Sequence, residues 1–172
     1  MTFDIITAQA RPEFLDVAEA IILPAWPDFM HHDPVANRHW RGLHEQFGAL
    51  QFALVERGCD RFLVVGNSIP LAWQGAASDL PDEGWDWAVT QGFADHAAGR
   101  RPTVLCALSI VVAADSRGQG LSAHAVRAMK CIARAGGFSD LFVPARPTWK
   151  CRYPLDPHGT LPPVDERGRP FL

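Results

Sequence analysis

The sequence carries a single tyrosine, Tyr153, and only two lysines, Lys130 and Lys150. Its net charge is −3, so there is no basic footprint of the kind that nucleic-acid binding needs. No apolar run approaches the ~20 residues of a membrane span. The first residues, Met1 to Ile6, lack the basic stretch and long apolar core of a secretion signal. The four cysteines, Cys59, Cys106, Cys131 and Cys151, are far apart and form no C-x-x-C pair. That excludes a zinc knuckle or a dithiol redox motif and reads as reduced thiols in the cytoplasm. Neither G-x-x-x-x-G-K-S/T nor G-x-G-x-x-G occurs, which removes the two commonest nucleotide-binding loops. Internal repeats are absent as well.

What remains is a globular chain of 172 residues, 48% hydrophobic and 20% charged, long enough for one domain with a real core. Phe3 to Thr7 reads as a strand. Pro12 opens a helix with Phe14, Leu15, Ala18, Ile21 and Ile22 on one face, which Pro24 and Pro27 end. Met30 to Pro34 reads as a loop, with Asn37 as cap of a second helix through Phe47. Gln51 to Glu56 and Phe62 to Trp73 form a hairpin, the second strand bending at Pro70. Trp85 to Ala98 reads as a helix interrupted by Gly92. Thr103 to Ala113 is the most apolar strand. Ser122 to Ala135 is an amphipathic helix stopped by Gly136-Gly137, and a short strand follows at Leu141 to Val143. A strand, a helix and a strand in succession imply a parallel pair.

The most informative segment is Leu108-Ser-Ile-Val-Val-Ala-Ala-Asp-Ser-Arg117-Gly-Gln-Gly120-Leu-Ser122. An apolar strand enters a two-glycine turn that leads straight into a helix. A turn without Cβ atoms at Gly118 and Gly120 admits a close ligand, and free amides at a helix start bind anions such as pyrophosphate.

This segment resembles the acyl-CoA-binding motif of the GNAT acyltransferase superfamily, Gln/Arg-x-x-Gly-x-Gly/Ala after a strand. Arg117, Gly120 and Ser122 stand on its fixed positions, serine replacing the usual smaller residue. The element order β-α-α-β-β-α-β-α-β is similar to that superfamily over roughly the first 150 residues, with one extra helix before the apolar strand. The resemblance implies an α/β (α+β) fold of three layers: a mixed central sheet flanked by helices, with atypical or incomplete C-terminal strands. It divides the chain into an acyltransferase domain, 1–153, and a Pro-rich tail, 154–172.

By the same resemblance, acetyl-CoA or another acyl-CoA is the co-substrate and the amine of a small molecule is the acceptor. Ile110 and Val112 would offer their backbone to the pantetheine arm, and Arg117, Gly118, Gln119, Gly120, Leu121 and Ser122 would cradle the pyrophosphate. Tyr153, following the last strand, would protonate the leaving thiolate. As a bare residue, Tyr153 is equally an amphipathic tyrosine at a core edge.

No acid or histidine lies on Thr103 to Val112, and Ser109 is the polar residue there nearest the thioester. The base stays open among a water, Asp33, Glu56, Asp86 and His96. His31-His32-Asp33 and Asp95-His96 lack the further spacing of a metal site and read as loop or surface residues, so no metal is expected. Trp73, Trp85 and Trp87 read as core or as walls of an acceptor pocket. The proline-rich tail leaves the last strand as a bare edge, to be covered by the tail or by a second copy in a homodimer. From a different class, a CoA-binding or interaction module without catalysis fits the missing base.

Overall fold

A computed structural model describes residues 2–145. Its strands are β1 (Phe3–Thr7), β2 (Phe52–Glu56), β3 (Phe62–Leu71), β4 (Val104–Val112) and β5 (Asp140–Phe142). Its α-helices are α1 (Phe14–Ile22), α2 (Pro34–Gln46), α3 (Trp85–Ala97) and α4 (Leu121–Ala135). The strands form one sheet in chain order, β1-β2-β3-β4-β5. The first three pairings are antiparallel and β4–β5 is parallel. The expected α/β class and mixed central sheet are present. The expected boundary after Tyr153, the C-terminal strands and the proline-rich tail lie outside the described residues.

β3 is buried along its whole length, which explains its near-continuous apolar character. One face of the sheet carries α4, where Leu121, Ala125 and Met129 pack on Phe52, Leu63 and Leu105. The opposite face carries α1, through Phe14, Ala18 and Ile22 on Ala53 and Val65, and α2 and α3, through Leu43 and Val89 near Ile69 and Cys106. The result is a helix–sheet–helix sandwich.

Three local expectations are corrected. The cap of α2 is Asp33 rather than Asn37: its Oδ1 accepts from the amides of Val35 and Ala36 at 2.9 and 2.8 Å, and Pro34 takes the first helical position. Most of Met30 to Pro34 is a 3-10 turn over Asp28–His32 feeding that cap. β3 ends at Leu71, and Pro70 sits inside it opposite Leu105. A proline is tolerated there because β2 pairing stops at Gly66, leaving that side of β3 without a ladder partner.

Gly92 does not weaken α3. A Cβ there would meet Ile69 Cδ1 and Cγ1 at 2.5 Å, so the missing side chain lets α3 lie close on β3.

Candidate functional site

β4 does not pair with β5 along its length. The parallel rungs are Val104–Asp140, Leu105–Leu141 and Cys106–Phe142. From Ala107 to Val112 only β3 borders it among the described residues, and alternate residues of an antiparallel ladder turn their N–H and C=O groups to the free side. A gap with unpaired strand backbone on one wall therefore opens above the Cys106–Phe142 rung.

Within this stretch β4 carries a bulge. Asn67 pairs with Ser109 and Ser68 with Ala107, so Leu108 has no partner on β3. The extra residue reverses the alternation of faces. Leu105 and Ala107 pack on the α4 face, and so do Ile110 and Val112 beyond the bulge. Ser109 and Val111 consequently face the α1–α3 side, where Val111 joins the cluster around Phe14. The indole Nε1 of Trp85, first residue of α3, donates to the Leu108 carbonyl at 3.2 Å.

At the upper end of the gap, β4 runs through a 3-10 turn, Ala114–Ser116, into Arg117 and the two glycines. Gly118 and Gly120 have φ of +78° and +72°, the left-handed region that glycine enters freely. An added Cβ at either would meet nothing within 4 Å, so both face open space. Gly120 is the N-cap of α4 and offers no side chain to its first turn. The amides of Gly118 through Ser122 donate to no acceptor among the described residues. Arg117 is exposed and forms no ion pair among them. A cluster of unfilled donors at the positive end of a helix of 15 residues is suited to a phosphate or pyrophosphate.

At the lower end, a cavity of about 120 Å³ lies against the last rung, lined by Leu80, Trp87, Ala88, Cys106, Phe142 and Val143 among others. Its walls are apolar. Burial pushes the Cys106 thiol up to about 12, so it stays neutral and serves as wall rather than nucleophile.

Unfilled amide donors, an open stretch of strand backbone and an apolar cavity thus border this end of the sheet. No family profile matches the sequence. Over 98% of its length the chain is 30% identical to arginine N-acetyltransferase avaD of Aspergillus versicolor, and it spans 62% of that protein. Among solved structures, the C-terminal condensation domain of Ebony in complex with beta-alanyl-dopamine superposes with a TM-score of 0.54 at 12% identity, over 98% of this chain and 91% of that one. Aminoglycoside 6'-N-acetyltransferase AAC(6')-IG of Acinetobacter haemolyticus superposes with a TM-score of 0.50 at 10% identity, over 90% of this chain and 86% of the other. The chain is similar in sequence to an N-acetyltransferase and shares the fold of these solved structures.

The GNAT-derived expectations now have positions. Ile110 and Val112 lie on the open stretch of β4, half-buried. Arg117, Gly118, Gln119, Gly120 and Ser122 are exposed at the mouth of the gap. The Leu121 side chain is buried in the core below α4, leaving only its backbone for a ligand. Tyr153 lies outside the described residues.

The base candidates do not converge. Asp33 is committed to the α2 cap. Glu56 is held by Cys59 and Arg61 at the β2–β3 turn, and those contacts keep its carboxyl below the usual range. His96 stands edge-on to Phe47. Asp86 sits in the first turn of α3. Among the described residues no group of three or more His, Cys, Asp or Glu side chains could hold a metal. Trp85 reaches β4, Trp87 lines the cavity and packs edge-on to Trp73 at 5.5 Å.

Sequence reasoning missed two buried polar residues beside this gap, Asn67 and His44. The signal for Asn67 was an amide side chain, next to Ser68, within a mostly apolar strand, a position that demands a partner.

Proposed function

We propose that this chain is an acyl-CoA-dependent N-acyltransferase that moves an acetyl or other short acyl group to the amine of a small molecule. The observation that carries the reading is the continuity of the open β4 edge with the unfilled amides of Gly118 to Ser122. The gap is bordered at one end by donors suited to a pyrophosphate and along its wall by backbone suited to an amide-bearing arm. The apolar cavity at the Cys106–Phe142 rung has room for more than the methyl of an acetyl group.

In this reading the cradle holds the CoA phosphates, the open β4 backbone orients the arm and polarises the thioester carbonyl, and Tyr153 returns a proton to the thiolate. The relative's name makes arginine the first acceptor to try. The described cysteines are all free thiols, which supports a reducing, cytoplasmic setting.

A thiol-release assay with acetyl-CoA over an amine panel that includes L-arginine should show turnover with at least one amine. Tyr153→Phe should lower the rate by about 10²–10⁴-fold while CoA binding persists. CoA binding without turnover on any amine would favour the non-catalytic module, which the lack of an acid or histidine on β4 supports.

We also propose that a homodimer covers the β5 edge. Val143, just past that strand, is 64% exposed. Light scattering at micromolar concentration should give twice the chain mass, and a monomeric mass would remove this proposal.

A further inference from the structure

Asn67 is fully buried on β3, directly across from Ser109 of β4, and its Nδ2 lies 3.0 Å from the Ser109 oxygen. Behind it stands His44 of α2, 8% exposed and flanked by the rings of Phe14 and Trp40. His44 Nδ1 lies 3.1 Å from the Trp40 carbonyl oxygen. A carbonyl oxygen only accepts, so Nδ1 carries the hydrogen of this bond. Burial lowers the pKa of His44 and favours the neutral ring, which has one N–H. Its Nε2 therefore presents a lone pair. The other tautomer would set a lone pair of Nδ1 against the Trp40 carbonyl.

The Asn67 side chain lies beside this ring. With Nδ2 turned to Ser109, both Asn67 Oδ1 and His44 Nε2 are buried without a partner among the described residues. Two unsatisfied buried acceptors are costly. A half-turn of the amide, whose oxygen and nitrogen are nearly equal in size, relieves both. Nδ2 then donates to His44 Nε2, and Oδ1 accepts the hydroxyl hydrogen of Ser109. That arrangement has a consequence at the surface. The Ser109 hydrogen is held inward, so the oxygen of this half-buried residue has only lone pairs left for a further partner. Ser109 lies beyond the last β4–β5 rung, on the face opposite Ile110 and Val112.

We propose that His44, Asn67 and Ser109 form a buried relay that holds the Ser109 oxygen as a hydrogen-bond acceptor for an N–H of the amine that receives the acyl group. The inference rests on the N-acyltransferase reading and deepens it. Ser109 touches the amine, while Asn67 and His44 are positioning residues. The relay takes no proton; it selects a donor-bearing acceptor and orients its nitrogen beside the open β4 edge.

Long-range proton–nitrogen NMR on the full ¹⁵N-labelled chain should show His44 as the Nδ1–H tautomer with Nε2 accepting a hydrogen bond. Asn67→Leu should shift that Nε2 signal. An Nε2–H tautomer overturns the relay. In turnover with acetyl-CoA and whichever panel amine the wild type acylates, Ser109→Ala should raise the KM for the amine about tenfold, the effect of losing one hydrogen bond. The affinity for CoA by calorimetry should not change, and Ser109→Thr should restore the KM. Asn67→Leu should add nothing in the Ser109→Ala background, because Asn67 acts through Ser109. Additive losses, or an active wild type whose Ser109→Ala form loses nothing, overturn the relay alone. A wild-type chain that acylates no amine overturns both readings.

Discussion

Gly120→Val is expected to weaken CoA binding by more than about 100-fold, because the change removes at least two hydrogen bonds to charged phosphate oxygens. The glycine sits at φ +72° as the N-cap of α4. A β-branched residue there carries a left-handed penalty of about 1–2 kcal/mol. The chain relieves it by turning the Leu121 and Ser122 amides away from the open side, and the new side chain enters the space a phosphate would take. Because a Cβ at this point meets no atom within 4 Å, the folded protein itself is not overpacked. The melting temperature should fall by only about 2–8 °C, corresponding to the backbone penalty alone. Calorimetric titration with CoA checks the prediction, and an unchanged affinity in a folded variant would remove the cradle.

The second large effect concerns stability. Asp95 is buried near the end of α3 with its side chain 3% exposed. Its carboxylate accepts from the Ala72 amide at 2.7 Å, Gln91 Nε2 at 2.6 Å and Arg100 Nε at 2.8 Å. Asp95→Ala deletes all three acceptor contacts and frees the tie between α3 and the chain leaving β3. A loss of about 3 kcal/mol is expected, the lower end of the range for a broken buried pair, since half-exposed Arg100 regains water. At about 2–4 °C per kcal/mol the melting temperature drops by roughly 6–12 °C. Asp95→Asn keeps one carbonyl acceptor and should lose less. Denaturant melts decide the matter, and a loss under about 1 kcal/mol would mean that the contacts are not coupled to folding. The effect should reach the gap too, because α3 begins with Trp85, whose indole holds the Leu108 carbonyl.

The turn between β4 and α4 was legible in the sequence because its physics is local: a strand, two glycines and a helix start lie within one short segment. Strands and helices were legible for the same reason, through period and punctuation. Asn and Asp both suit a helix cap, so residue type alone does not separate Asn37 from Asp33. Only the geometry shows Asp33 bonding two amides ahead of Pro34. Gly92 was read as a weakness because propensity scales see an isolated helix, whereas here the missing Cβ is what the Ile69 contact requires.

The bulge at Leu108 has no signature in composition, yet it decides which face Ser109 presents. The link from His44 through Asn67 to Ser109 joins α2, β3 and β4, so it exists only once the sheet register is set. Tyr153 stays where the sequence left it, as a proton donor implied by resemblance.

The sheet order has a consequence for how the chain is made. Spatial order equals chain order in the five described strands, so each pairs with the one synthesised just before it. Among the described strands, none waits with a bare central edge for a partner later in that set. Assembly can proceed by successive additions at one side as the polypeptide emerges. Among the described strands the parallel pair closes last, after α4, which connects its two strands, has been made. Such local ordering limits the loop-closure entropy of each step and the time during which apolar β3 is uncovered.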